Sequence, residues 1–199
     1  MKLYADGPTL EEIKTLDVDG YTFNPSLYKS LGAEDYLKFS DKISKEIKSK
    51  PISIEVIGDD YEECFRQAKI IDKIADNIWV KIPISYTNGK TTKKLINDLV
   101  NEGIKLNITA IFTIDQIKEI NDIVKNSGSI LSIFSGRIYD IGQNAELKFN
   151  EMTQYIHSNS NCKSLWASCR MTYDYFTAKA CKADIITMSP ALISKMKLF

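Results

Sequence analysis

The residue whose type and setting offer the most distinctive chemistry is a lysine, Lys81, which lies inside the apolar segment IWVKIPI. Burial in such a segment favours the neutral amine over the ammonium ion. A neutral amine is the nucleophile that forms a Schiff base with a ketone or an aldehyde. The alternative is a strand-end lysine whose stem packs on apolar neighbours while its ammonium group reaches solvent. The segment alone leaves both interpretations open.

Two carboxylic acids accompany other apolar segments. Asp6 ends KLYAD, and Glu55 lies within ISIEVI. Acids on either side of an amine can divide the general acid and general base steps between them. Asp6 has an alternative role in an Asx turn that leads into the first helix. Glu55 requires a partner, because an unpaired buried carboxylate is expensive.

Arginine is rare here, with three arginines (Arg66, Arg137 and Arg170) against 23 lysines. Arg137 and Arg170 follow two successive apolar segments, and Ser168 precedes the second of them. A guanidinium is a rigid fork of donors that a lysine cannot replace, so two of them with a hydroxyl suit a phosphate monoester. An exposed salt bridge is the alternative for each arginine.

Composition removes several classes of protein. The formal net charge is zero, which argues against a nucleic-acid partner. No apolar run approaches the roughly 20 residues that a membrane span requires, and the N-terminus lacks a signal-peptide pattern. We therefore expect a cytoplasmic protein with no membrane partner.

Cysteine and histidine spacing argues against a metal site and a His-centred triad. The four cysteines form no C-x-x-C pair and have no histidine at zinc-ligand spacing. The one histidine, His157, lies in a polar stretch that resembles a helix end. The sequence predicts no metal and no other cofactor.

The elements that must position these side chains alternate between short apolar runs and amphipathic segments. Predicted strands cover residues 2–6, 20–24, 52–57, 78–83, 105–112, 130–136, 164–168 and 184–189. Predicted helices cover residues 9–16, 33–48, 61–75, 91–102, 113–125, 145–157, 172–182 and 191–198.

Eight strand–helix units favour an α/β fold, a single (β/α)8 TIM barrel over residues 1–199. The alternative is a doubly wound open sheet, which usually has fewer units and a glycine-rich phosphate loop after its first strand. No G-x-G-x-x-G occurs here. Barrel chemistry lies at the carboxyl ends of the strands. The residues predicted there are Asp6, Asn24, Glu55, Lys81, Asn107, Thr109, Ser132, Phe134, Arg137, Ser168 and Arg170, with Thr187 and Ser189 on the last strand.

The same segments resemble the short-form transaldolase family, which includes the fructose-6-phosphate aldolases. GYTFNPS at 20–26 resembles its G-x-T-T-N-P-S motif, and VKIP at 80–83 resembles its Schiff-base strand. Further matches, in the family's order, are KLYAD at 2–6, SIEV at 53–56, EGIKLNIT at 102–109, FSGRI at 134–138 and ASCR at 167–170. The family's lysine lies on the fourth barrel strand, which is where the strand count puts Lys81.

The resemblance implies roles for these residues. Lys81 forms the Schiff base with a ketose phosphate, and Asp6 removes the C4 hydroxyl proton. Glu55 and Thr109, with a water between them, move protons. The three-carbon unit is bound by Asn24, Asn107 and Ser132. The phosphate is bound by Arg137, Ser168 and Arg170.

Two positions separate transaldolases from the aldolases, which carry Gln in place of Glu55 and Tyr in place of Phe134. Both residues here follow the transaldolase pattern. Phe134 has no hydroxyl to activate water for release of the bound enamine, which favours transfer to a second sugar. The alternatives are an aldolase releasing free dihydroxyacetone and a barrel that binds sugar phosphates, or a protein partner, without turnover.

Departures from the family are Phe23, in place of the second Thr, and Gly7 after Asp6. The chain ends soon after its eighth helix, so we expect it to lack the extra C-terminal helix of short-form relatives. We expect a homo-oligomer, smaller than their rings.

Overall fold

A computed structural model describes residues 1–196 as eight parallel strands that close into a barrel in sequence order, β1 to β8. The strands are β1 (Lys2–Asp6), β2 (Gly20–Phe23), β3 (Ile52–Glu55), β4 (Ile78–Pro83), β5 (Leu106–Ile111), β6 (Ile130–Ile133), β7 (Lys163–Trp166) and β8 (Ile185–Met188). Strand β1 pairs with both β2 and β8, which closes the sheet. The predicted barrel is confirmed.

Helices cover the outside of the barrel. Within residues 1–196 they are α1 (Leu10–Thr15), α2 (Pro25–Ser30), α3 (Tyr36–Ile47), α4 (Tyr61–Asp72), α5 (Lys93–Asn101), α6 (Ile114–Val124), α7 (Ser135–Asp140), α8 (Ala145–Asn159), α9 (Asp174–Ala180) and α10 (Pro190–Met196). None of the helices in this part of the chain is long and apolar enough to span a membrane.

Side chains alternate along each strand between the helix layer and the barrel interior. On β2, Tyr21 and Phe23 belong to the large apolar core under the helices, whereas Thr22 between them faces the interior. A second, smaller cluster consists of Tyr4, Ile130, Leu165, Ala167 and Ile185. Gly20 makes room for it, since an added Cβ would lie 2.6 Å from the Tyr4 ring.

The predicted element boundaries need correction in a few places. The strand predicted over 130–136 ends at Ile133, because residues 135–140 form α7. Helix α2 was also not predicted, although Asn24 caps it and Pro25 opens it, a combination typical of helix starts. The strand predicted over 52–57 ends at Glu55. Residues 197 and 198 of the last predicted helix lie outside the described residues.

Candidate active site

A cavity of about 200 Å³ opens at the carboxyl end of the barrel. Most of the predicted site residues line it: Asp6, Asn24, Lys81, Thr109, Ser132, Phe134, Arg137, Ser168 and Arg170. Glu55 and Asn107 are not among the lining residues but contact residues that are. The remaining lining residues are Thr22, Ala167, Cys169, Thr187 and Ser189.

The register of three neighbouring strands brings the lysine to its partner. Glu55 on β3 pairs with Lys81 on β4, and Lys81 pairs with Asn107 on β5. The Lys81 Nζ atom lies 2.9 Å from Glu55 Oε2, and Lys81 is only 6% exposed. Each of the two buried charges therefore has the oppositely charged partner that a buried charge requires. The ammonium is held inside the cavity, and snorkelling to solvent is excluded.

The pair also provides a route for a proton. Lys81 must lose a proton before its nitrogen can attack a carbonyl, and the Glu55 carboxylate is the acceptor already in contact. The end of β3 is anchored from behind, because the Tyr36 hydroxyl donates to the backbone carbonyl of Glu55. The carboxylate is therefore presented to Lys81 by a fixed strand.

Asp6 faces this pair from β1 and is partly buried. Burial raises the pKa of the Asp6 carboxyl above its ordinary value of 3.8; the Lys81 charge and the Thr22 hydrogen bond lower it, and Glu55 raises it. The net direction is upward, which suits a group that takes and returns protons near neutral pH. The Asx-turn alternative is not realised, since Asp6 accepts from Thr22 and α1 is capped by Thr9.

Beneath the lysine, Asn107 ties two strands together. Its Nδ2 donates to Ser53 Oγ at 2.9 Å, and its Oδ1 accepts from Ser132 Oγ at 2.6 Å. Asn107 is fully buried. In this arrangement Asn107 orients Ser132, which lines the cavity, and does not itself line it.

Thr109 offers the cavity a free hydroxyl. Its Oγ1 is buried and makes no hydrogen bond with any residue in the described part of the chain. The β5–β6 register shifts between Ile108 and Ile111, and Ala110 has φ of +56°. Such bulges re-aim side chains beside active sites. A water or a substrate hydroxyl would satisfy Thr109.

Asn24 serves two elements at once. Its Oδ1 accepts from the Leu27 backbone N–H at 2.9 Å and caps α2, and the same side chain lines the cavity. Phe23 beside it points the other way and packs on Tyr28, with ring centroids 5.3 Å apart. The departure from the family pattern at Phe23 therefore lies outside the cavity.

The arginines stand on segments that follow the sheet. Arg137 lies in α7, whose Gly136 touches the chain after β7 so closely that an added Cβ would lie 1.6 Å from the Ser168 carbonyl oxygen. Ser168 itself has φ of +66°. Only a glycine permits this approach, which brings both arginines to one rim.

Arg170 is braced from two sides. Its Nε donates to Asp140 Oδ1 at 3.1 Å, and its backbone N–H donates to Asp174 Oδ2 at 2.6 Å. The alternative of an exposed salt bridge is thus realised for Arg170, at the same time as its side chain lines the cavity.

Sequence reasoning did not select Thr22 or Cys169 as site residues. Thr22 lies two residues before Asn24, so strand periodicity alone puts it on the same face. Cys169 lies between Ser168 and Arg170, in a segment without regular structure, and no local pattern assigns its direction. Its Sγ donates to the Thr187 carbonyl oxygen at 3.2 Å, and burial raises the pKa of the thiol.

The fold and the site together define a (β/α)8 barrel with a buried lysine that is paired with one carboxylate and faced by a second. The family model described as Transaldolase/Fructose-6-phosphate aldolase matches residues 3–198. A probable transaldolase of Methanococcus maripaludis is 34% identical over 204 residues, covering 98% of this chain and 89% of the relative. A probable transaldolase of Bartonella tribocorum is 32% identical over 201 residues, covering 98% and 88%. The chain belongs to the transaldolase/fructose-6-phosphate aldolase family and is an enzyme of the aldolase or transferase type.

Solved structures share the fold. KGPDC from Streptococcus mutans has a TM-score of 0.63 and 14% identity, covering 97% of this chain and 89% of that one. A putative isomerase from Sinorhizobium meliloti has a TM-score of 0.67 and 9% identity, and this chain covers 53% of it. At such identities the likeness concerns the barrel alone.

Proposed function

We propose that this protein is a transaldolase of the non-oxidative pentose phosphate pathway. It transfers a dihydroxyacetone unit from fructose 6-phosphate or sedoheptulose 7-phosphate to an aldose phosphate, through a Schiff base on Lys81. The observation that carries the proposal is the 2.9 Å contact between Lys81 and Glu55 inside a cavity that Asp6 also lines. The residues supply every acid, base and nucleophile that this chemistry needs, without a cofactor.

The reaction begins at the lysine. Glu55 takes a proton from Lys81, and the free amine attacks the C2 carbonyl of the ketose phosphate. Glu55 returns that proton to the departing C2 oxygen, the attacking nitrogen gives up a second proton to the same oxygen, and Thr109 binds the water that leaves. The protonated imine then serves as the electron sink for the next step.

Cleavage follows at Asp6, which faces the imine from β1. Asp6 removes the C4 hydroxyl proton, the C3–C4 bond breaks, and its electron pair moves into the imine to give an enamine. The aldose phosphate leaves with the new C4 aldehyde. A second aldose phosphate accepts the three-carbon unit by the reverse of these steps, with Asp6 returning its proton.

The other residues bind and orient. Asn24 and Ser132 hold hydroxyls of the three-carbon unit, and Asn107 supports Ser132 from below. Arg137, Ser168 and Arg170 bind the phosphate at the rim, where a charge-assisted fork suits its oxygens.

Phe134 favours transfer over hydrolysis. It lines the cavity and packs edge-on against Phe112, with ring centroids 5.7 Å apart. An aromatic ring without a hydroxyl cannot activate water against the enamine. The three-carbon unit then survives on Lys81 until an acceptor sugar arrives. A cytoplasmic location and a homo-oligomeric state remain predictions from the sequence.

Borohydride trapping tests the proposal. The protein is incubated with fructose 6-phosphate and borohydride, and the adduct is located by intact mass and peptide mapping. We expect a reduced three-carbon adduct on Lys81. Product analysis with and without erythrose 4-phosphate separates transfer from release of free dihydroxyacetone.

Each outcome assigns a different function. Rapid release of dihydroxyacetone without an acceptor would make the protein an aldolase. A six-carbon adduct would mean imine formation without cleavage. Absence of any adduct with ketose phosphates would overturn the proposal in favour of a barrel that binds sugar phosphates without turnover.

A further inference from the structure

Two threonines connect Asp6 on the first strand to the last strand of the barrel. Thr22 Oγ1 lies 2.6 Å from Asp6 Oδ1, and it also lies 2.6 Å from Thr187 Oγ1. Thr22 and Thr187 are 2% and 5% exposed, and both line the cavity. The three side chains come from β1, β2 and β8; β1 pairs with β2 on one side and, because the barrel closes, with β8 on the other.

Counting protons identifies the donor in each of these two hydrogen bonds. An ionised carboxylate only accepts, and each hydroxyl has a single proton to donate. Thr22 must therefore donate to Asp6, and Thr187 must in turn donate to Thr22. Asp6 Oδ1 is occupied, whereas Oδ2 accepts no hydrogen bond from any residue in the described part of the chain.

We propose that Thr22 and Thr187 are positioning residues for C–C bond cleavage, which fix Asp6 so that Oδ2 is the oxygen that receives the C4 hydroxyl proton. This inference rests on the proposed function, since it assumes that Asp6 is the cleavage base. The threonines act through Asp6 and do not touch the reacting atoms.

Electrostatics agrees with the geometry. The Thr22 hydrogen bond lowers the pKa of Asp6 against the larger effect of burial, and so keeps more of the carboxylate ionised. The titratable groups that face Asp6 are Lys81 from β4, Glu55 from β3 and the Cys169 thiol after β7. Arg137 and Arg170 line the same cavity at the rim. Removal of either threonine hydroxyl leaves these groups unchanged but weakens the hydrogen bonding that holds the Asp6 carboxylate.

The test separates imine formation from cleavage. Dihydroxyacetone has no C4, so its borohydride-trapped adduct on Lys81 reports the imine alone. Transfer from fructose 6-phosphate to erythrose 4-phosphate reports cleavage, and its pH profile reports Asp6. Both are measured in Thr22→Val and Thr187→Val, with Thr22→Ser and Thr187→Ser as variants that keep the hydroxyl.

We expect Thr22→Val to lower kcat/KM for transfer about tenfold, as for loss of a hydrogen bond to a charged group. The acid limb of the profile should move to higher pH, because the carboxylate has lost a donor. Thr187→Val should act in the same direction and more weakly, since the Thr187–Thr22 hydrogen bond only strengthens the Thr22–Asp6 hydrogen bond cooperatively. Adduct formation with dihydroxyacetone should stay within about twofold in all variants.

Thr153→Val is the matched control. Thr153 is a buried threonine on α8 whose hydroxyl has no partner among residues 1–196, and it lies outside the cavity. It should leave both reactions and the pH profile unchanged.

Wild-type profiles in both valine variants would overturn the inference. So would equal losses in the serine and valine variants, or an equal loss of adduct formation, because these indicate a purely structural role. A wild-type protein that forms no adduct at all would remove the proposed function and this inference together.

Discussion

The two sides of the cavity are built differently. The lysine wall consists of Lys81 on β4 and Asp6 on β1, with Glu55 on β3 paired to Lys81 behind the cavity lining. The arginine wall consists of Arg137, Ser168 and Arg170, which lie in α7 and in the segment after β7. Strand register fixes the first wall, whereas the close approach at Gly136 and a positive φ at Ser168 fix the second.

The difference separates chemistry from binding. Hydrogen-bonded strands hold charged groups at the short distances that proton transfer requires. The arginine wall lies beyond the strand ends, where segments can change without disturbing the sheet. Changes in the lysine wall should therefore affect the reaction at any substrate, and changes in the arginine wall should affect phosphorylated substrates.

The largest effect is expected for Lys81→Met. Without the amine no Schiff base forms, and kcat/KM for transfer should fall by more than about 1,000-fold. Glu55 is left largely buried without its partner, which should lower the free energy of unfolding by roughly 3 kcal/mol. A transfer assay measures kcat/KM, borohydride trapping measures Schiff-base formation, and urea denaturation measures the free energy of unfolding.

A double variant separates them. Lys81→Met with Glu55→Gln removes both charges, so it should recover most of the stability and none of the activity. A Lys81→Met protein that still gives a substrate-derived adduct would place the nucleophile on another lysine.

Asp6→Asn comes next. Transfer should fall by about 100-fold with the base removed. Burial holds the pKa of Asp6 above its unfolded value of 3.8, so its contribution to stability is fully present below that value and is lost as pH rises through the folded pKa. Asparagine has no such loss, and the variant should be the more stable protein at pH 7.

Urea denaturation at several pH values measures the free energy of unfolding of the wild type and of Asp6→Asn. The advantage of Asp6→Asn should shrink as the pH falls towards about 4. An advantage of the wild type at all pH values would mean that the Lys81 charge outweighs burial.

Gly136→Ala disturbs the backbone packing that holds the arginine wall together. The new Cβ would lie 1.6 Å from the Ser168 carbonyl oxygen, so α7 and the segment after β7 must separate. The free energy of unfolding should fall by about 3 kcal/mol, as for other severe overpacking. KM for fructose 6-phosphate should rise, while the dihydroxyacetone adduct on Lys81 should persist.

Gly142→Ala is its control. It has φ of +73° but open space around the added Cβ, so it should cost only the backbone strain of roughly 1 kcal/mol. Equal losses in the two variants would show that the contact with Ser168 contributes no more than ordinary backbone strain.

Arg137→Lys should have the smallest effect. It keeps the charge but loses the fork, so KM for fructose 6-phosphate should rise about tenfold, with little change in kcat. Unphosphorylated dihydroxyacetone should react as before. Arg66→Lys, on the exposed face of α4 where Arg66 pairs with Glu63, is the matched control and should change nothing. An equal loss with dihydroxyacetone would remove the phosphate role from Arg137.

Much of the fold was readable from the chain alone, because strands and helices leave local periods in the sequence. The eight alternating strand and helix segments predicted the barrel, and the polar residues at the strand ends predicted most of the cavity lining. Helix α7 escaped prediction, because FSGRIYD continues an apolar strand and its N-cap residue, Phe134, offers no capping side chain.

The sequence by itself determined which residues face the barrel interior, since side-chain alternation is a local property of a strand. Only the tertiary structure decided which of them meet. Glu55 reaches Lys81 through strand register, and Asn107 lies under Ser132 instead of lining the cavity. Thr22 and Thr187 are separated by 165 positions in the chain, and they share a hydrogen bond because the last strand closes the barrel on the first.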